Sequence, residues 1–70
     1  VRIILNGQPF ELDPPGDGTA ITVATLIAAR RPRPPFAVER NKTLVKRTDF
    51  DATPLAEGDR VEIATLVGGG

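Results

Sequence analysis

The residues best suited to chemistry in this 70-residue chain are its last three, Gly68, Gly69 and Gly70. Glycine makes up about 7% of ordinary proteins, so three in succession at a chain end is expected in of order one chain in a few thousand. The run therefore calls for an explanation. With no Cβ atoms, an extended glycine segment can pass through a channel too narrow for other residues. Gly70 would then present an unhindered carboxylate. A carboxylate is a poor electrophile until a phosphate-type leaving group is attached. Adenylation by ATP would make it an acyl-adenylate, open to attack by sulfur, nitrogen or oxygen. The chain would supply the carboxyl group and its recognition, and a partner enzyme the catalysis. A frayed terminus is the plainer account of the same three residues.

Composition removes most other chemistry. The chain has no cysteine and no histidine, which excludes a disulfide framework, a zinc site of the usual type and any Cys–His or Ser–His pair. No bound metal or cofactor is expected, and ATP is a substrate of the partner. Pro14–Gly18 carries two glycines without a Lys or Ser/Thr at phosphate-loop spacing. Thr22, Thr25 and Thr65 read as a helix cap and as surface positions. The carboxylates are scattered over turns and strand exteriors. No apolar run approaches the roughly 18 residues of a membrane span, and no signal-peptide pattern is read at the start of the sequence. The expectation is a cytoplasmic protein with a trimmed N-terminus, since it starts at Val1.

Nine basic residues balance nine acidic ones, but they are segregated. Seven of the nine bases lie between Arg30 and Arg47, with Glu39 the only acid there. Five acids and one base, Arg60, lie between Asp49 and Glu62. A solvated surface accounts for this, as does a basic face that orients a partner. With zero net charge and only Phe36 among the bases, nucleic-acid binding has little support.

The positioning elements follow from periodicity. Val1–Asn6 alternates as a strand with Val1, Ile3 and Leu5 on one face. Asn6-Gly7 is a hairpin turn, because both positions require φ > 0. Gln8–Asp13 returns as an edge strand, since Pro9 cannot donate to a ladder. Thr22 caps a helix in which Val23, Leu26, Ile27 and Arg30 share a face; Ile21 and Leu26 form a hydrophobic staple. Pro32 stops it, and Arg31–Pro35 is a stiff, extended connector. Phe36–Arg40 and Thr43–Lys46 are a second strand pair around Asn41-Lys42. Arg47–Pro54 is irregular, with a helical turn near Asp49–Ala52, and Leu55 plugs the core. Glu57-Gly58-Asp59 turns the chain into the final strand, Arg60–Val67. One helix covering one sheet is a two-layer α+β domain. The apolar first and last strands belong together, in parallel, at the sheet centre. This ββαββ…β order is the β-grasp arrangement, a single domain over 1–70 with a flexible tail at 67–70.

Several segments, taken in this order, resemble the ThiS family of sulfur carriers in thiamin (thiazole) biosynthesis. They are Leu5-Asn6-Gly7, Thr22-Val23 with Leu26-Ile27, Ala37–Asn41 (AVERN), Leu44–Arg47 (LVKR), Leu55–Ile63 (LAEGDRVEI) and Val67–Gly70. The resemblance covers nearly the whole chain, and the proline-rich connector departs from it. It implies a ubiquitin-like β-grasp whose Gly70 is adenylated by a ThiF-like activating enzyme and converted to a thiocarboxylate. Sulfur would come from a cysteine desulfurase relay and pass to thiazole synthase, ThiG. By analogy with ubiquitin-like proteins, Ile4, Ala64, Leu66 and Val67 form an apolar docking patch at the outer sheet face and tail. Three alternatives stay open: a MoaD-like carrier for molybdopterin, a ubiquitin-like protein modifier, and a binding module with a disordered tail.

Overall fold

The computed structural model describes residues 1–66. Five strands and one α-helix follow in the order β1 (Arg2–Leu5), β2 (Gln8–Glu11), α1 (Val23–Arg30), β3 (Phe36–Arg40), β4 (Thr43–Val45) and β5 (Arg60–Thr65). A 3₁₀ helix spans Arg47–Ala52 between β4 and β5. The spatial strand order is β2-β1-β5-β3-β4, with β5 in the middle. β1 runs parallel to β5, and every other pairing is antiparallel. This is the order expected from placing the two most apolar strands together at the centre.

Strand alternation fixes which face is buried. Ile3 and Leu5 of β1, Val38 of β3 and Val61 of β5 point inward, against Val23 and Leu26 of α1. Leu12, Ile21 and Leu55 complete the core. A fully buried Ile, Leu or Val contributes about 1.5–3 kcal/mol. A chain this short buries only about 60% of its unfolded surface, so it depends on nearly all of them.

The helix is anchored at both ends. Thr22 adopts extended backbone geometry, its Oγ1 accepts from the Thr25 amide, and the Thr25 hydroxyl accepts from the Thr22 amide. Thr25, expected to be only a surface position, thus closes a capping box. Residues beside the cap also pair with the segment before Leu55: Val23 donates to the Thr53 carbonyl at 2.9 Å and Leu55 to the Ile21 carbonyl at 3.0 Å. At the other end Arg31 takes the left-handed conformation (φ 48°), and its amide donates to the Ile27 carbonyl.

The boundaries differ from expectation where the backbone leaves the extended region. β1 stops at Leu5 because Asn6 already turns with φ 49°, followed by Gly7 at 82°. The connector does not run straight: it bends at Pro34-Pro35, where the peptide bond is cis. The helical turn expected near Asp49–Ala52 starts earlier, at Arg47. Within it Phe50 stacks on Phe36, with ring centroids 6.3 Å apart. β4 and β5 each end before their predicted limits, at Val45 and Thr65.

Candidate functional site

The predicted reactive residue lies beyond the carboxyl-terminal end of β5. Gly70, Gly69, Gly68 and Val67 are outside the described residues, so the site is defined by the frame that leads to them. β3 flanks β5 to its end, pairing Val38 with Ile63, Ala37 with Ala64 and Phe36 with Thr65. One residue further, Leu66 donates its amide to the Pro35 carbonyl at 2.7 Å. The bent connector therefore supplies the last bond before the tail.

On the other side, β1 pairs with β5 only as far as Leu5 and Val61. Beyond it the Asn6 amide donates to the Val61 carbonyl at 2.9 Å. The Asn6 side chain then reaches Ile63: Oδ1 accepts from the Ile63 amide at 2.8 Å, and Nδ2 donates to the Ile63 carbonyl at 3.2 Å. Sequence reading identifies Asn6 as a turn residue and misses this contact, which spans 57 positions.

The start of β5 is fixed by a buried carboxylate. Asp59 accepts from Arg40 Nε at 2.9 Å, Asn41 Nδ2 at 3.1 Å and the Ala56 amide at 2.9 Å. Burial alone would raise its pKa, but the Ala56 amide, the Asn41 carboxamide and the Arg40 guanidinium together hold it below the ordinary aspartate value. Asn41 also accepts from the Arg60 amide at 2.9 Å. The segments AVERN and LAEGDRVEI thus meet here, in a structural role. In the loop before α1, exposed Asp17 accepts from the Thr19 hydroxyl and amide, which lower its pKa in that order.

Ile4, Ala64 and Leu66 all fall on the sheet face away from the helix. Ile4 is half-buried between Pro9 and Arg60, whereas Ala64 is exposed opposite Ala37 and Leu66 is 56% exposed beyond the strand. Ile4 and Leu66 are not adjacent, and Glu62 faces Glu39 along the stretch between them. Leu44, opposite Glu39 on the same face, is the most exposed large apolar side chain among the described residues, at 62%. Sequence reading missed it by treating β4 only as a partner for β3. An open groove of about 730 Å³ adjoins this end of the sheet, lined among others by Pro34, Pro35, Phe36, Val45 and Phe50.

Five of the bases lie in the two segments that flank this end of the sheet. Arg30, Arg31 and Arg33 precede β3, whose first residue pairs with Thr65, while Lys46 and Arg47 follow β4 and line the groove. Among the described residues none of the five forms an ion pair. Arg30 instead lies over the Phe10 ring, 5.5 Å from its centroid. The described residues contain no cluster of three or more His, Cys, Asp or Glu able to hold a metal. No helix among them is long and apolar enough to cross a membrane.

Comparison with known proteins gives a consistent picture. The sequence profile of the ThiS family matches residues 3–70. A thiazole synthase of Magnetococcus marinus is 34% identical over 70 residues, which is all of this chain and 20% of that protein. The chain thus spans about a fifth of this curated relative's length. The crystal structure of a thiamine biosynthesis protein (ThiS) from Geobacter metallireducens superposes with a TM-score of 0.77 at 32% identity, covering all of both chains. The solution structure of a thiamine biosynthesis protein from the same organism gives 0.76 at 30% identity, covering all of this chain and 88% of the other.

Proposed function

This chain belongs to the ThiS family of thiamine biosynthesis proteins, and on that premise we propose that it is a sulfur carrier whose reactive group is the carboxylate of Gly70. In the proposed sequence that carboxylate attacks the α-phosphate of ATP in a ThiF-like activating enzyme, giving an acyl-adenylate and releasing pyrophosphate. The terminal sulfur of a persulfide supplied by a cysteine desulfurase relay displaces AMP to give an acyl disulfide, and a second thiol then cleaves its S–S bond, releasing the thiocarboxylate and leaving a disulfide on the relay. Thiazole synthase then takes the sulfur into the thiazole ring. The carrier contributes no acid or base. Its chain contributes recognition and a terminus with no side chain in the way.

The family match through residue 70 is the observation that carries this reading. The fold supports it, because the central strand leads into the glycines and is bonded as far as Leu66. The relative called a thiazole synthase, a fifth of which aligns with this chain, supports thiazole synthase as the recipient. The test is incubation with the activating enzyme and ATP, followed by mass analysis of the C-terminal peptide. Adenylate on Gly70, absent from a chain lacking Gly70, is the expected result. Pyrophosphate release unaffected by that deletion would remove Gly70 from the reaction.

A further inference from the structure

We propose that Asn6 is a positioning residue for the C-terminal tail, aligning β5 so that Gly70 reaches an activating enzyme's active site in register. The proposal rests on the carrier reading above. Had β1 continued through residue 6, the main-chain carbonyl of that residue would accept from the Ile63 amide, as parallel ladders require. Instead the main chain turns away at φ 49° into Gly7. The Asn6 carboxamide fills the vacated place, accepting from the Ile63 amide at 2.8 Å and donating to its carbonyl at 3.2 Å.

Only a carboxamide can do both in this setting. Asparagine tolerates the left-handed backbone, and its side chain carries an acceptor and a donor on one short arm. Aspartate would accept from the amide but would set a carboxylate oxygen against the Ile63 carbonyl. Glycine would keep the turn and leave the edge of β5 open. With Asn6 on one side and the Pro35 carbonyl bonded to Leu66 on the other, the last residues of β5 are held from both flanks. A reactive carboxyl group carried a few residues beyond this point gains from it, because its rate depends on the fraction of time it is aligned.

Asn6→Gly isolates the carboxamide, since it preserves the φ > 0 turn. Thr22→Ala, which removes a helix cap remote from β5, serves as a destabilised control. Adenylation of each is followed by pyrophosphate exchange with the activating enzyme, alongside amide hydrogen exchange at Ile63. In Asn6→Gly the Ile63 amide should exchange about tenfold faster, as expected from losing two modest hydrogen bonds. Its kcat should fall about tenfold from misplacement of the reacting end, while KM stays within about twofold because the docking face is untouched. Thr22→Ala should leave kcat and KM as in the unaltered protein, and Asn6→Asp should not restore kcat.

Faster exchange at Ile63 with unchanged kcat would overturn the proposal and leave Asn6 as a cover for an open strand edge. An equal fall in kcat for Asn6→Gly and Thr22→Ala would also overturn it. Failure of the unaltered protein to be adenylated would overturn the carrier reading itself, and is distinguishable because every variant fails alike.

Discussion

Asp59 shows how much of the molecule's order depends on single polar side chains. Its carboxylate gathers the Arg40 guanidinium, the Asn41 carboxamide and the Ala56 amide at the start of β5. Removing it leaves a partly buried arginine without its partner, so Asp59→Ala should cost about 2–4 kcal/mol in urea denaturation. The pH dependence follows from its lowered pKa. Because the folded value lies below the unfolded value of about 3.9, the contribution is fully present above that pH. It is lost as pH falls through the depressed folded value. Asp59→Asn should therefore show less loss of stability on acidification than the unaltered protein, and an identical acid profile would contradict this assignment. The sequence marks Asp59 as a turn residue, which it is. What it hides is that Arg40 and Asn41, 19 and 18 positions away, close on the same carboxylate. Asn6 hides its second role for the same reason: local turn chemistry is legible, but bonds between distant segments depend on the sheet register.

The elements were legible wherever pattern and punctuation agreed. Thr22 capped the helix, Asn6-Gly7 turned the first hairpin, and Leu55 entered the core as its isolated apolar character suggested. The ends of elements were less readable, because tertiary bonds decide where a ladder stops. Helix α1 illustrates this: Pro32 explains why it cannot continue, but the terminating residue is Arg31, held at φ 48°. A non-glycine side chain there is strained, and glycine is favoured at this position after a helix. Arg31→Gly should raise stability by about 0.5–1 kcal/mol after allowing for the more flexible unfolded chain. Thermal denaturation checks this, and a lower melting temperature would show that the arginine side chain contributes more than its backbone strain costs. The bend at Pro34-Pro35 was missed because Arg31–Pro35 reads locally as an extended proline-rich stretch, although it returns to bond Leu66.

Across the whole molecule, the end of β5 carries exposed Leu66 beside an apolar groove, and the segments flanking it hold five bases that form no ion pair among the described residues. Substituting Leu66 tests the docking patch proposed here. Leu66→Glu should leave stability within about 0.5 kcal/mol, as for other surface changes. It should raise KM for the activating enzyme about tenfold if Leu66 is an interface anchor. Unchanged adenylation kinetics would remove it from the docking surface. Charge segregation was visible in the sequence, but the placing of the segment before β3 next to the end of β5 follows from the sheet order, which brings Phe36 beside Thr65.

The central claim concerns the chemical state of Gly70, and intact mass of the protein isolated from its own cells tests it most directly. The account predicts a species in which one oxygen is replaced by sulfur, mapped to Gly70 and lost when Gly70 is deleted. Conjugates of Gly70 to lysine side chains, with no sulfur-bearing form during active thiamine synthesis, would contradict it.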